Sequence, residues 1–235
     1  MESVKIILYI IFILLALFVS AKFTLRRAYK IDAKSLMMKA LSSVCFIVLG
    51  FIAFYGSKNI TSIAILAGLC MGLVGDIFLD LKMMYYKGRE TVIYTFTGFG
   101  AFILGHICYL MFMFHQYGPF GKGLWISLVI GIIAAIAIYM TPNLMKLNYG
   151  QYHVISSVYA GLLVFVAIYS AFICFHEFTA AKLLFFIGLV FFLISDLILS
   201  QIYFGRNKQL PKNFLLNHAA YYLAQILIAA SIMFV

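Results

Sequence analysis

The chain has little charge and few acidic residues for its length. Only 10% of its 235 residues are charged and seven are Asp or Glu, whereas 66% are hydrophobic. An average soluble domain carries about a quarter charged residues, and one soluble core cannot hide this much apolar surface. The composition therefore excludes an ordinary soluble protein and makes lipid the expected solvent.

Cysteine is also scarce, and the usual motifs of soluble enzymes are missing. There is no Cys-x-x-Cys pair, Gly-x-Ser-x-Gly elbow, His-Glu-x-x-His motif or phosphate-binding glycine loop. Asp76, Asp80 and His218 are conceivable ligands of a metal ion, but their spacing in the sequence does not by itself indicate a metal site. We therefore expect no metal and no cofactor. The four cysteines lie singly in apolar runs, at Cys45, Cys70, Cys108 and Cys174.

Eight apolar runs occupy most of the chain. Each is close to the roughly 20 residues needed to cross about 30 Å of hydrocarbon at 1.5 Å per residue. The first run resembles a secretion signal, but seven further runs favour an uncleaved span. The sequence predicts an all-α polytopic membrane bundle in which residues 1–235 form a single domain. The spans are about 4 to 21, 36 to 55, 60 to 81, 92 to 114, 124 to 140, 152 to 174, 181 to 202 and 214 to 234.

Lysine and arginine are distributed unevenly between the two ends of these spans. Lys5, Lys58, Lys122 and Lys182 lie on one side, and the positive-inside rule places the thirteen others in the cytoplasm and both termini outside. This topology and the attraction of anionic lipids explain the net charge of +10, so no nucleic-acid partner is expected. The thirteen are Lys22, Arg26, Arg27, Lys30, Lys34, Lys39, Lys82, Lys87, Arg89, Lys146, Arg206, Lys208 and Lys212.

Three of the acids lie inside apolar helical sequence. Asp76, Asp80 and Asp196 would each cost about 2.5 to 3.5 kcal/mol as an ionised group at mid-membrane. Asp76 and Asp80 are four residues apart and share a helix face, while Asp196 approaches from another helix at a comparable depth. We expect these carboxyl groups to converge toward the cytoplasmic side.

Other spans carry polar residues that point to the same region. Lys39 opens span two from the cytoplasmic side and is a natural counter-charge. Gly98 and Gly105 in span four are small enough to permit close helix approach. Helical spacing aligns two polar stripes, His106 with Tyr109 on span four, and His218, Tyr221, Tyr222 and Gln225 on span eight.

A purely structural role is the alternative for each of these groups. Polar membrane residues often only bond to one another, at about 0.6 kcal/mol per pair. For Asp80 the alternative is a side chain that extends to the membrane interface near Lys82. For His106 the alternative is an interior histidine whose hydrogen bonds are satisfied. Interfacial or packing aromatics are the alternative for Tyr109, Tyr159 and Tyr221.

Spans three and seven end in similar patterns. Gly72 to Leu79 and Gly188 to Leu199 each combine a small residue, an aspartate and an aliphatic stretch. Each is followed by a helix that bears a histidine and a tyrosine. The pattern predicts a parallel internal repeat.

Four motifs together resemble the YhhN-like lysoplasmalogenase family in order and spacing, over most of the chain. The family often has a proline soon after the lysine that opens span two, whereas Ala40-Leu-Ser42-Ser43 follows Lys39 here. The four motifs are Gly-Leu-Val-Gly-Asp76-Ile-Phe-Leu79, Phe99-Gly-Ala-Phe-Ile-Leu-Gly-His106-Ile-Cys-Tyr109, Ser195-Asp196-Leu-Ile-Leu and Asn217-His218-Ala-Ala-Tyr221-Tyr222-Leu-Ala-Gln225.

The resemblance implies hydrolysis of the vinyl ether bond of lysoplasmalogens, a class of lysophospholipid, to a fatty aldehyde and glycerophospho-ethanolamine or glycerophospho-choline. Paired carboxylates suit this reaction because, as in glycoside hydrolysis, it passes through an oxocarbenium ion. Asp76 and Asp196 are the expected acid and base, in either order, with His218 as helper. The expected substrate-binding residues are Lys39, Asp80, His106, Tyr109, Tyr222 and Gln225, and the candidates for the phosphate are Lys39, Arg26 and Arg27.

Two other functions stay open at this point. A small proton-coupled transporter also uses intramembrane Asp and His, although the helices near Asp76 and Asp196 show no marked glycine or proline breaks at matching mid-membrane positions. A hydrolase or isomerase of another lipid would need only the same scaffold. The short loops suit a multi-pass protein of a bacterial inner (cell) membrane, surrounded by membrane lipids, and the oligomeric state is undetermined.

Overall fold

Eight long helices make up nearly all of the described structure. A computed structural model describes residues 2–85, 88–119, 121–140, 146–205 and 210–235, with side chains from residue 7 onward. Each helix is long and apolar enough to cross a membrane, so the predicted all-α, eight-span, multi-pass membrane protein is confirmed. The helices are α1 (Glu2–Arg27), α2 (Ala33–Ser57), α3 (Ile63–Met84), α4 (Glu90–Tyr117), α5 (Gly121–Met140), α6 (His153–His176), α7 (Ala180–Phe204) and α8 (Pro211–Ser231).

An even number of crossings places both ends of the chain on the same side of the membrane. The distribution of basic residues predicts that this side is extracytoplasmic. Of the thirteen residues assigned to the cytoplasmic side, Lys87, Arg206 and Lys208 lie outside the described residues. The orientation stays a prediction.

The first helix is longer than its hydropathy predicts. It continues to Arg27 rather than ending near residue 21, and α2 begins at Ala33. Asp32 caps α2, since its side chain accepts a hydrogen bond of 2.8 Å from the Ser35 amide within a capping box. The hydrogen bond from Arg26 to this carboxylate lowers the pKa of Asp32. The tight turn therefore holds the end of α1 beside the start of α2.

The helices pack in consecutive pairs, α1 with α2, α3 with α4, α5 with α6 and α7 with α8. Helix α8 also contacts α1, α2 and α3, while α4 contacts α6 and joins the two halves. Helix α5 packs chiefly on α6 and buries little besides Gly123, Ser127 and Gly131. The bundle interior is therefore lined mainly by α2, α3, α4, α6, α7 and α8.

Small residues allow the closest helix contacts. A Cβ atom on Gly105 of α4 would lie 3.2 Å from the Gly68 carbonyl oxygen of α3. A Cβ atom on Gly188 of α7 would lie 3.1 Å from the Ala224 carbonyl oxygen of α8. Because lipid supplies no hydrophobic drive between helices, such close backbone approach is what holds the pairs together.

We expect Gly68→Ala to destabilise the α3–α4 pair. Its new methyl carbon would lie 2.2 Å from Cε1 of the buried Tyr109 ring, so packing must shift, and overpacking of this kind typically costs about 1 to 3 kcal/mol. Gly100→Ala on α4 is the matched control, because nothing lies within 4 Å of its Cβ position. The midpoint of thermal unfolding in detergent should fall for Gly68→Ala only; equal midpoints would contradict the packing.

Candidate active site

Asp76 lies in a buried network of donors. Its Oδ1 is 3.3 Å from Lys39 Nζ, and its Oδ2 accepts hydrogen bonds of 2.6 Å from Ser43 and 2.7 Å from Tyr221. The side chain is only 3% exposed. One cation and two hydroxyl donors stabilise an ionised carboxylate at this position.

Asp80, one turn further along α3, completes this ionic network. Its Oδ1 is 2.8 Å from Arg27 Nη2 and 3.6 Å from Lys39 Nζ. Arg27 also donates a hydrogen bond of 3.0 Å to Ser35 at the start of α2. Asp80 is therefore paired in the interior rather than extended toward Lys82. Two cations and two carboxylates balance, which avoids the cost of an unpaired buried charge.

A chain of hydrogen bonds leads from Asp76 toward α8 and α4. Gln225 Nε2 donates to the Tyr221 hydroxyl oxygen at 2.9 Å, and the Tyr109 hydroxyl donates to Gln225 Oε1 at 3.4 Å. The structure thus brings Tyr109 and Gln225, both expected to bind substrate, into one network with Asp76. Their hydrogen bonds fix the orientation of Tyr221.

His218 is positioned by its own helix. Its Nδ1 is 2.8 Å from the Phe214 carbonyl oxygen, and because a carbonyl can only accept, this nitrogen carries the proton. The ring packs edge-on against Phe23 with centroids 4.9 Å apart and is tilted against Tyr222 at 6.3 Å. In this structure the group on α8 that bonds to Asp76 is the Tyr221 hydroxyl. The helper role of His218 and the substrate contact of Tyr222 stay predictions.

His106 repeats this arrangement on α4. Its Nδ1 is 2.8 Å from the Phe102 carbonyl oxygen, and its Nε2 is buried without a hydrogen bond to any described residue. The ring packs edge-on against Phe192 at 4.7 Å, Tyr109 at 5.6 Å and Tyr159 at 5.9 Å. His106 therefore lies between the tyrosines of the two aspartate sites.

Asp196 occupies a different environment from Asp76. The Tyr159 hydroxyl of α6 donates a hydrogen bond to Asp196 Oδ2, and Asp196 forms no salt bridge with any described residue. It lines an apolar cavity of about 70 Å³ between α3, α4, α5, α6 and α7, and is the one carboxyl group among the described residues that line it. This cavity combines a carboxyl group with apolar walls.

The Phe102 ring lies between the two carboxyl sites. Its centroid is 6.4 Å from that of Tyr159 and 6.3 Å from that of Tyr221, the tyrosines bonded to Asp196 and Asp76. The sequence predicts convergence of the acids. The structure places Asp76 and Asp80 in one network and Asp196 in a neighbouring cavity, with an aromatic wall between them.

Three side chains that contact the aspartates are not among the residues predicted to act in catalysis or to bind substrate. Packing is the alternative role that the sequence suggests for Tyr159 and Tyr221, and it suggests no role for Ser43. Two sequence signals point to Ser43 and Tyr159. Ser43 lies one turn after Lys39 on the same helix face, and Tyr159 precedes Asp196 by 37 residues, the spacing between Lys39 and Asp76.

The cations considered for the substrate phosphate already have carboxylate partners. Arg26 pairs with Asp32 at the α1–α2 turn, while Arg27 and Lys39 pair with the acids of α3. Their phosphate roles stay predictions. Within the described part of the chain, His, Cys, Asp and Glu residues form no group of three that could hold a metal ion.

We expect Lys39→Met to destabilise the protein strongly. Removing one partner of a buried ion pair leaves an uncompensated charge, which typically costs about 3 to 5 kcal/mol. Lys182→Met is the matched control, because Lys182 is equally buried but pairs with the exposed carboxylate of Glu177. Thermal unfolding in detergent should show a large decrease for Lys39→Met and a small one for the control; similar decreases would argue against the ionic network.

The comparison with known proteins identifies one family. Its model, described as the YhhN family, matches residues 34–232, which include Asp76, Asp80 and Asp196 and almost all of α2 to α8. No curated protein and no solved structure matches the chain. The matched region is well over half of the sequence, and the chain therefore belongs to the YhhN family.

Proposed function

We propose that this protein hydrolyses the vinyl ether bond of lysoplasmalogens, releasing a fatty aldehyde and glycerophospho-ethanolamine or glycerophospho-choline. The observation that carries the proposal is Asp196, which is held by Tyr159 in an apolar cavity and pairs with no cation among the described residues. Membership of the YhhN family, a family of lysoplasmalogenases, supports the same reaction.

Asp196 is the acid of the proposed reaction. A buried carboxyl group without a cation is more stable with its proton than without it, because an isolated ionised carboxylate is costly in apolar surroundings. The apolar walls of the cavity suit the vinyl ether end of the alkenyl chain of the substrate. This arrangement favours transfer of the Asp196 proton to carbon.

Asp76 is the fixed carboxylate of the site. Lys39, Ser43 and Tyr221 all donate to it or pair with it, which favours the ionised form. Its negative charge stabilises the cation that forms on the substrate through space, across the Phe102 ring, rather than by direct contact. Two carboxyl groups in contrasting environments take different roles in catalysis.

The proposed reaction returns the enzyme to its starting state. Asp196 transfers its proton to the β-carbon of the vinyl ether, and the double-bond electrons form the new C–H bond, leaving an oxocarbenium ion. Water adds to the cationic carbon and gives a proton back to the Asp196 carboxylate, which produces a hemiacetal. The hemiacetal then collapses as its hydroxyl proton moves to the departing glycerol oxygen, so one water is consumed per aldehyde and alcohol formed.

The helices around the site also bear on the carrier alternative. Carriers typically bind substrate at broken helices near mid-membrane. Helix α3 runs through Asp76 and α7 runs through Asp196 without interruption. A continuous helical scaffold around an acid and an apolar cavity favours hydrolysis over transport.

We expect Asp196→Asn to lower kcat for lysoplasmalogen hydrolysis by about 100-fold or more, because general acid catalysis contributes roughly 10² to 10⁴. Aldehyde release by purified protein in detergent measures this. Asp32→Asn is the matched control, since it makes the same change outside the site and asparagine also caps helices.

Unchanged turnover in Asp196→Asn would refute the acid assignment. An ester-linked lysophospholipid should survive incubation with the active protein, because it has no vinyl carbon to protonate. If no vinyl ether is cleaved and proteoliposomes instead show substrate-dependent proton flux, the carrier function replaces hydrolysis.

We expect the aldehyde formed in D₂O to carry one deuterium on the carbon next to the carbonyl. This follows because the enzyme transfers an exchangeable proton to the β-carbon. Immediate reduction of the aldehyde to the alcohol prevents later exchange, and mass spectrometry counts the label. A product without deuterium would show that the double bond is not protonated and would rule out this mechanism.

A further inference from the structure

Three aromatic rings surround a cation beside the Asp196 cavity. The ammonium nitrogen of Lys82 lies 4.1 Å from the ring centroid of Tyr203, 4.8 Å from that of Phe204 and 5.3 Å from that of Tyr152. Aromatic faces attract cations within about 6 Å of the centroid, and cages of such rings bind quaternary ammonium groups. The position of Lys82 thus identifies a site whose aromatic rings favour a positive charge.

The cage lies in an open pocket at the end of the bundle that is predicted to face the cytoplasm. The pocket has a volume of about 370 Å³ and is also lined by Asn148 and Gln151, which supply polar groups. None of its described lining residues is acidic. The described lining residues present aromatic ring faces to a cation in this pocket, which suits a choline group that has no N–H to donate.

This pocket and the Asp196 cavity are adjacent. Tyr149, Tyr203 and Phe204 line both of them. Tyr203 follows Asp196 by seven residues on α7, a rise of about 10 Å at 1.5 Å per residue. In a lysoplasmalogen the glycerol, the phosphate and a two-carbon arm separate the vinyl ether from the amine, which is a comparable distance.

We propose that Tyr152, Tyr203 and Phe204 form the subsite for the cationic amine of the substrate headgroup. The amine takes the place where the Lys82 ammonium lies in this structure, and the flexible side chain of Lys82 turns toward the neighbouring phosphate. The assignment to a substrate headgroup rests on the proposed function. It gives the enzyme a preference for choline and ethanolamine lipids over lysolipids without an amine.

The test measures binding rather than turnover. Palmitoyl lysophosphatidylcholine and palmitoyl lysophosphatidate share chain, glycerol and phosphate but differ in the amine, and both are ester-linked. Their affinities for the purified protein in nanodiscs are compared by calorimetry. Tyr203→Leu and Tyr152→Leu should weaken choline-lipid binding by about 5- to 30-fold and leave lysophosphatidate binding unchanged.

Two variants serve as controls. Tyr203→Phe retains the ring and loses only the hydroxyl that donates to the Leu79 carbonyl oxygen at 3.2 Å, so it should bind the choline lipid nearly as wild type does. Phe178→Leu removes an exposed aromatic side chain at the opposite end of the bundle and should change neither affinity. Because the ratio of the two affinities is compared within each variant, a partly unfolded sample does not produce the expected result.

The outcomes separate this inference from the proposed function. Equal losses for both lipids, or no loss for either, would overturn the aromatic subsite even if vinyl ether hydrolysis is confirmed. A selective loss of choline-lipid binding supports the subsite even if no vinyl ether is cleaved. In that case the proposed function fails and the headgroup site stands.

Discussion

The need to neutralise two buried carboxylates constrains the half of the bundle that is predicted to face the cytoplasm. Asp76 and Asp80 lie on α3, and their cations come from the end of α1 and the start of α2. Because an unpaired ion in apolar surroundings costs several kcal/mol, these three helices must meet at this level. Tyr221 then ties α8 to the same point through Asp76. The apolar surfaces of the helices do not by themselves require this alignment.

The contrast between Asp76 and Asp196 follows from their neighbours. Both are aspartates on helices that run in the same direction, and each lies about 12 Å along the helix axis from the last residue of its helix. Asp76 has a lysine and two hydroxyl groups, whereas Asp196 has one tyrosine and an apolar cavity. The same residue type therefore lies in two contrasting environments, which the proposed mechanism uses for a fixed anion and a proton donor.

The contacts of the two halves agree with a parallel internal repeat. His106 and His218 each donate to a phenylalanine carbonyl one turn earlier, and each precedes a tyrosine by three residues. Lys39 and Tyr159 occupy equivalent places 37 residues before their aspartates. The repeat stays a prediction; under it, lysine in one half and tyrosine in the other would account for the two different carboxyl environments.

The sequence by itself determined the eight spans, because the length of an apolar run is compared with a fixed bilayer thickness. It also identified the buried acids and placed Asp76 and Asp80 on one helix face, since helical spacing is local. The tertiary structure decided which group meets which acid. Tyr159 and Asp196 are far apart in the chain, and a tyrosine in a helix has the same local pattern whether it packs or donates. Arg27 likewise ends a hydrophobic run, and its burial is explained by its contacts with the Asp80 carboxylate and the Ser35 hydroxyl.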